Sequence, residues 1–159
     1  ACISSRTNEA LLVSLCERIN YKSVVFSSFD INQKPIYHTN VMISVGTNNV
    51  VVCLEAISSK LEREVLIQTI KNSGKSIIDI NLIQLNSFCG NIMEVSNSSG
   101  QTNWLMSKNA KMGFNSNQIN QLSRNSKVIS FEINTMEQIG GGSLRCMLAG
   151  IHASYIPSK

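Results

Sequence analysis

Two segments of the chain carry side chains that can take part in covalent chemistry. The segment PIYHTNVMISVG at residues 35–46 places His38 and Asn40 just before a predicted strand. The segment IGGGSLRCMLAGI at residues 139–151 sets three glycines before Cys146, where we predict that a strand begins. Nucleophilic catalysis through a thiolate uses such a cysteine together with a histidine that transfers protons. The two segments therefore indicate a thiol-dependent site.

Each segment also has a plainer interpretation. Consecutive glycines let a backbone approach a ligand closely, but no Lys-Ser/Thr pair follows them, so a phosphate-binding loop is not indicated. Arg145 could help to hold a thiolate at Cys146. The alternative is a flexible hairpin turn with a buried cysteine, and a lone histidine such as His38 is more often structural than catalytic.

The elements that must position these residues recur at a spacing of about fifty residues. The runs VMISVG and VVVCLEAI, joined by TNN at residues 41–57, predict a β-hairpin. A helix capped by Ser58 and ended by Gly74 should follow, and then the strand SIIDINL at 76–82. The same order returns at residues 91–133. Units of this kind bury their apolar faces only against neighbours.

Partial copies of the same unit flank these two. A helix at residues 8–19 and a strand at 23–27 resemble the end of an earlier copy, and RCMLAGIHA at 145–153 resembles the start of a later one. Alternating helices and strands predict an α/β architecture. Trp104 is expected to serve packing. His152 is expected to be a packing or surface residue.

The composition of the chain limits the other functions and the number of domains that it can have. The chain has 159 residues, 15% of them charged, and a net charge of +4, whereas charged residues usually make up about 25% of a domain. The charge is too small and too scattered for a nucleic-acid or membrane-binding patch, and we see no membrane span or signal segment. We expect one domain, and the low charge fits a piece of something larger.

The five cysteines are an odd number at irregular spacing and form no CxxC pair. We therefore expect a reducing, cytoplasmic compartment and no metal or cofactor. Cys16, Cys53 and Cys89 lie in apolar stretches, so we expect them to be buried as small hydrophobic side chains.

Four motifs taken together resemble the guanidino-group-modifying superfamily of arginine deiminases, dimethylarginine hydrolases and amidinotransferases. They are SSRT at 4–7, YHTNVM at 37–42, CGNIMEV at 89–95 and GGGSLRCM at 140–147. The resemblance is closest to the bacterial arginine-deiminase-related, citrulline-utilisation branch. It implies a pentein fold, an α/β-propeller of ββαβ modules about a pseudo-fivefold axis.

The resemblance also implies roles for individual residues. Cys146 corresponds to the nucleophile and His38 to the histidine that protonates the leaving group and then activates water. Arg6 corresponds to an arginine that binds a substrate carboxylate, and Arg145 precedes the nucleophile as it does in deiminases. The positions that border the substrate are Asn40, Asn91, Gly141 and Gly142.

Some of these roles have alternatives. Arg6 can instead pair with a surface acid, and Arg145 would point away from Cys146 if the predicted strand already alternates there. Asn91 can be a turn-forming residue. Asn40 stands where arginine deiminases have an acid, so free arginine is not established as the substrate.

The superfamily's two guanidinium-clamping carboxylates lie upstream of SSRT, and neither Asp30 nor Asp79 stands in a matching context. The prediction is therefore a single partial domain at residues 1–159, the C-terminal portion and about three of five modules of a catalytic pentein. Its predicted partners are a small guanidino substrate and missing N-terminal modules; a homo-oligomer is left open. Amidino transfer to an amine and a non-catalytic binding domain are the alternative functions, and a cysteine peptidase is disfavoured because no oxyanion-hole sequence is identifiable.

Overall fold

The structure of the chain is a computed structural model that describes residues 1–150. Its regular elements are α1 (Glu9–Arg18), β1 (Ile43–Val45), β2 (Asn49–Val52), α2 (Lys60–Asn72), β3 (Ser76–Asp79), α3 (Leu82–Asn86), β4 (Met93–Ser96), β5 (Thr102–Ser107), α4 (Lys108–Gly113), α5 (Ser116–Ser123), β6 (Ser126–Phe131) and α6 (Asn134–Gly140). Short 3₁₀ helices cover Thr39–Val41 and Leu144–Met147. None of the helices within residues 1–150 is long and apolar enough to span a bilayer.

The strands form two three-stranded sheets, β1-β2-β3 and β4-β5-β6. In each sheet the first two strands form an antiparallel hairpin, and the third strand runs parallel to the second. Parallel neighbours need a crossover connection, which α2 supplies in the first sheet and α4 with α5 supplies in the second. The predicted repeat of α/β units is therefore confirmed as two ββαβ units.

Polar side chains set where the helices begin. The Ser59 hydroxyl accepts a hydrogen bond from a backbone N–H of the first turn of α2, so the cap is one residue later than the predicted Ser58. Gly74 follows α2 with φ of 75°, a conformation that favours glycine and ends the helix as predicted. The helix predicted at residues 8–19 is confirmed as α1, which Asn8 caps.

The strand predicted at residues 23–27 is wrong. This stretch pairs only through isolated bridges, one joining Cys2 to Phe26 and a neighbouring one joining Ser28 to Ile57. Each bridge has a different partner segment, so no continuous ladder forms. The β-rich composition of the stretch reflects the burial of Phe26 rather than a place in a sheet.

One hydrophobic cluster runs through both ββαβ units. Trp104 on β5 is fully buried, as predicted, and packs against the turn between β1 and β2. A Cβ atom built on Gly46 in that turn would lie 2.5 Å from Cζ2 of the Trp104 ring. The glycine therefore leaves the space that the indole occupies.

The two units also meet along a polar seam at Ser44 and Gly90. The Ser44 hydroxyl lies 2.7 Å from the Gly90 carbonyl and accepts a hydrogen bond from the Ile92 N–H at 3.2 Å. A Cβ atom on Gly90 would overlap the Val41 carbonyl and would lie 2.9 Å from Met42 Cα. The absence of a side chain at Gly90 thus sets the segment before β4 directly against the turn before β1.

Replacing Gly90 tests this seam. We expect Gly90→Ala to lower the free energy of unfolding by about 1–3 kcal/mol, because the added methyl must push two backbone segments apart. The measurement is denaturant unfolding. Gly140→Ala is the matched control, since a Cβ atom there meets nothing within 4 Å; equal losses in the two variants would contradict the close approach.

Two core thiols are kept from ionising by their surroundings. Burial raises the pKa of the Cys53 thiol to about 11 and that of the Cys89 thiol to about 12. Cys89 Sγ donates a hydrogen bond to the Ala110 carbonyl at 3.3 Å. The predicted burial of these two cysteines is confirmed, whereas Cys16 on α1 is only half-buried.

These raised pKa values predict a loss of stability at alkaline pH. An unfolded cysteine loses its proton near pH 8.5, while the folded chain retains both protons up to higher pH. The folded state then binds more protons, so the free energy of unfolding falls as pH rises from about 9 towards 11.

Denaturant titrations at several pH values from about 8 to 11 measure this effect. The Cys53→Ala/Cys89→Ala double variant is the comparison, because it keeps every other titrating group. We expect the wild type to lose stability more steeply than the variant above about pH 9. If the free energy of unfolding falls equally with pH in the wild type and the variant, these thiols do not contribute to the loss of stability at alkaline pH.

Candidate active site

Cys146 lies on the 3₁₀ helix Leu144–Met147 and not on the predicted strand. The N–H of Cys146 donates to the Ser143 carbonyl at 3.0 Å, and this local hydrogen bond occupies a donor that a strand would pair across a sheet. The helix turns the side chain outwards, so Cys146 is exposed. Its side chain borders an open cavity of about 470 Å³. The sulfur is therefore accessible to a small molecule.

The glycine run forms the wall of this cavity beside the sulfur. Gly141 ends α6 with φ of 67°, a left-handed conformation that favours glycine. A Cβ atom on Gly142 would lie 3.0 Å from Cys146 Sγ. The bare backbone at Gly142 gives the sulfur its space, whereas a Cβ atom on Gly141 would meet nothing within 4 Å.

The amide of Asn91 is the nearest polar partner of the sulfur. Its Nδ2 donates to Cys146 Sγ at 3.2 Å and to the Asn40 carbonyl at 2.8 Å. Its Oδ1 accepts from the Ser143 N–H at 3.2 Å. Asn91 is almost fully buried, with 1% of its surface exposed. It therefore acts as a bracket between three segments rather than as a free turn residue.

Asn40 reaches the same sulfur from another direction. Its Nδ2 lies 3.9 Å from Cys146 Sγ, and its Oδ1 is buried without a hydrogen-bond partner among residues 1–150. The structure thus brings three of the predicted site residues, Cys146, Asn91 and Asn40, to one point. The seam at Gly90 explains why, because it sets Asn91 beside the 3₁₀ helix Thr39–Val41.

His38 lies at the start of that same 3₁₀ helix. Its carbonyl accepts from the Val41 N–H at 3.1 Å, which fixes its backbone. Its ring is exposed and meets the Tyr37 ring edge-on, with the centroids 4.7 Å apart. The ring makes no hydrogen bond within residues 1–150. His38 and Asn40 therefore share one turn, and Asn40 is the member of that turn that contacts Cys146.

The SSRT motif is tied to the histidine turn by hydrogen bonds. The Ser4 hydroxyl donates to the Tyr37 carbonyl at 2.8 Å, and the Cys2 N–H donates to Thr39 Oγ1 at 3.0 Å. Arg6 lies exposed beside Tyr37 in a second cavity of about 430 Å³. Arg6 makes no ion pair in the part of the chain that is described, so the predicted alternative of a surface pair is not seen there.

Arg145 does not face the sulfur of its neighbour. Its Nη1 lies 3.2 Å from Met93 Sδ on β4, and the side chain is half-buried. The guanidinium therefore packs against the second sheet. His152 lies outside the described residues.

Sequence analysis missed three polar residues at the site, which are Glu137 and its two hydrogen-bond partners, Ser143 and Asn109. Glu137 on α6 is buried, with 4% of its surface exposed, and accepts from the Ser143 hydroxyl and from Asn109 Nδ2, each at 2.6 Å. The segment TMEQIG was not predicted to be a helix, so nothing marked Glu137 as an inward-facing side chain. Its position nine residues before Cys146, just ahead of the glycines, was the available signal.

Comparison with known proteins identifies the family. The family model for N,N dimethylarginine dimethylhydrolase, eukaryotic, matches residues 1–153. The chain belongs to this family. The dimethylarginine dimethylhydrolase family lies within the guanidino-group-modifying superfamily, so the predicted superfamily is confirmed, while the predicted branch stays a prediction. Among curated protein sequences, none matches the chain.

Solved structures of ArgZ, an arginine dihydrolase from the ornithine-ammonia cycle in cyanobacteria, share the fold. The apo structure has a TM-score of 0.70 and 15% identity, over 97% of this chain and 23% of that chain. The N-terminal domain of a cysteine-to-serine mutant bound to substrate has a TM-score of 0.68 and 13% identity, over 91% of this chain and 48% of that chain.

A third structure, the N-terminal domain of an asparagine-to-serine ArgZ mutant covalently bound to a reaction intermediate, has a TM-score of 0.69 and 13% identity, over 92% of this chain and 48% of that chain. This chain of the dimethylarginine dimethylhydrolase family thus spans less than half the length of these structures. The likeness confirms the predicted α/β pentein fold.

Removing the Asn91 amide tests the contact with the sulfur. We expect Asn91→Ala to slow the alkylation of Cys146 by iodoacetamide about tenfold, because a hydrogen bond to a charged group contributes roughly 1.5–3 kcal/mol. Peptide mass spectrometry of the labelled protein gives the rate at Cys146. Asn103→Ala is the matched control, since Asn103 lies on β5 and, among residues 1–150, its side chain bonds only to the Gln101 carbonyl. An unchanged rate in Asn91→Ala would contradict the contact.

Proposed function

We propose that this chain forms the C-terminal part of the catalytic domain of a cysteine-dependent hydrolase that acts on a guanidino compound. The observation that carries the proposal is the exposed Cys146 sulfur held between two amide donors, Asn91 and Asn40, at the edge of an open cavity. Membership of the dimethylarginine dimethylhydrolase family supports guanidino chemistry at this sulfur.

In the proposed reaction the Cys146 thiolate attacks the electron-poor carbon of a protonated guanidinium group. A C–S bond forms, and the C–N bond to the leaving amine breaks as His38 supplies a proton to its nitrogen. A thiouronium intermediate remains on Cys146. His38 then takes a proton from water, and the water oxygen attacks the same carbon. Cleavage of the C–S bond restores the thiolate, and the second proton of the water passes to solvent as the C=O bond of the ureido product forms.

The amides provide the environment that a thiolate needs. A hydrogen bond to an ionised group is stronger than one to a neutral group, and Asn91 Nδ2, 3.2 Å from Cys146 Sγ, is a donor that a thiolate can use, while Asn91 Oδ1 lies 3.5 Å from the same sulfur. The unpartnered Asn40 Oδ1 is buried and does not line the cavity beside Cys146, so a guanidinium N–H would reach this acceptor only after the Asn40 side chain turned towards the cavity. Asn40 would then help to bind the substrate, in place of the acid that deiminases have there.

The remaining predicted residues have subsidiary roles in the proposal. Gly141 and Gly142 shape the loop over the substrate, and Arg6, in the cavity beside Tyr37, binds a substrate carboxylate. The support for Arg145 is weaker, since its guanidinium would have to leave Met93 in order to reach a substrate.

The cavity beside Cys146 is not sufficient to hold a cation. Among the described residues, its lining is Thr135, Met136, Ile139, Gly140, Gly142, Cys146 and Met147, which includes no carboxylate. A cationic group bound there would be poorly oriented for attack. We propose that clamping carboxylates come from further N-terminal modules of the same pentein domain, or from another copy in an oligomer, and that residues 1–159 alone are inactive.

Water is the proposed acceptor of the amidino carbon. Both the family and ArgZ are named for hydrolysis, which supports water over an acceptor amine. The substrate class is arginine or an N-substituted derivative of it.

Turnover by the full-length protein tests the proposal. Arginine and N,N-dimethylarginine should each be assayed for a ureido product and for the released amine, with and without an added acceptor amine. We expect Cys146→Ser to lower kcat/KM by at least about 10³-fold, since it removes the nucleophile, and His38→Ala to lower it by about 10²–10⁴-fold.

Cys16→Ser is the matched control, because Cys16 is a half-buried cysteine on α1 outside the site. It should turn over as the wild type does. Mass spectrometry of the quenched reaction should find the adduct on Cys146. Turnover that persists in Cys146→Ser would contradict the mechanism, and product that forms only with the acceptor amine would assign amidino transfer instead.

A further inference from the structure

The buried carboxylate of Glu137 has no part in the proposed reaction, yet it lies next to the nucleophile loop. Its two oxygens accept hydrogen bonds from the Ser143 hydroxyl and from Asn109 Nδ2, and it forms no ion pair among residues 1–150. Burying a carboxylate without a cation is costly unless its hydrogen bonds are satisfied. An apolar side chain would fill the same space at a lower free-energy cost. The two hydrogen bonds that the carboxylate accepts are therefore the feature that distinguishes Glu137 from an apolar residue.

Ser143 is the residue through which Glu137 reaches the site. Each polar group of Ser143 has a separate partner: its hydroxyl donates to Glu137, its N–H donates to Asn91 Oδ1, and its carbonyl accepts from the Cys146 N–H. Ser143 is fully buried. A displacement of Ser143 would therefore move both the sulfur and the amide that binds it.

The glycine run makes such a fixed point necessary. Residues 140–142 have no side chains, and glycine restricts the backbone least of all residues. Glu137 contacts this run at its middle and just beyond its end, because its carbonyl accepts from the Gly141 N–H at 3.2 Å and its carboxylate accepts from the Ser143 hydroxyl. Asn109 on α4 in turn fixes the carboxylate to the second ββαβ unit.

We infer that Glu137 is a positioning residue, which holds Ser143 so that Cys146 stays within hydrogen-bonding distance of Asn91. The effect on catalysis rests on the proposed function, to whose site this inference adds a residue. A misplacement of a reacting group by about 1 Å can lower the rate of a catalytic step about 10²-fold.

The test compares two substitutions of similar size in the full-length protein. Glu137→Gln keeps an oxygen that accepts from Ser143, whereas Glu137→Leu fills the space and accepts nothing. We expect Glu137→Leu to slow iodoacetamide alkylation of Cys146 and to lower kcat by about 10–100-fold, with KM within about threefold. Glu137→Gln should stay within about threefold of the wild type in both rates.

Glu94→Leu is the matched control. Glu94 on β4 is half-buried, whereas Glu137 is buried, but like Glu137 it accepts two hydrogen bonds, from the Thr47 N–H at 2.6 Å and the Ser126 hydroxyl at 2.7 Å. Neither of these partners touches the nucleophile loop. Glu94→Leu should lower the melting temperature without changing the alkylation rate. Equal slowing in Glu94→Leu and Glu137→Leu would overturn the inference, and so would a wild-type rate in Glu137→Leu.

Ser143→Ala supplies a second measurement if Glu137→Leu does not fold. It removes only the hydroxyl, so the same slowing is expected, and a Glu137→Gln/Ser143→Ala double variant should be no slower than Ser143→Ala. A wild-type rate in Ser143→Ala would overturn the inference. Alkylation needs no guanidino substrate, so failure of turnover in the wild type would reject the proposed function while the alkylation rates still decide the role of Glu137.

Discussion

The contact between the two ββαβ units at Gly90 is the constraint on which the candidate site depends. Because Gly90 has no side chain, the backbone before β4 lies against Val41 and Met42, and Ser44 bonds across the seam. That contact places Asn91 under the 3₁₀ helix of Asn40. The sulfur, the two amides and the histidine turn come from three separate stretches of chain, and the seam determines how two of them meet.

Many of the helices and strands could be predicted because they depend on local sequence patterns. The hairpin at 41–57, the helix at 8–19 and the spacing of about fifty residues between units each depend on neighbours in sequence, namely apolar alternation, a capping side chain and a turn. The family motifs around His38, Asn91 and Cys146 indicated the superfamily, which the family match confirms. Their catalytic and binding roles remain predictions.

What could not be predicted depends on contacts between distant segments. Cys146 stands in an apolar stretch that favours a strand, but the preceding glycines let the chain turn, and the bond from its N–H to Ser143 makes a 3₁₀ helix instead. Glu137 is similar, since a glutamate in a polar segment normally faces solvent, and only Ser143 and Asn109 make its burial favourable. Arg145 packs on Met93, a neighbour that no spacing in the sequence indicates.

The partners of the sulfur are neutral amides rather than charged groups. An amide gains or loses no proton over the ordinary pH range, so Asn91 and Asn40 keep the same donors and acceptors from mildly acidic to alkaline solution. They therefore add no ionisation of their own to a rate profile. Any pH dependence of the proposed reaction therefore comes from groups other than these two amides, and the contacts that position the sulfur through them do not change with pH.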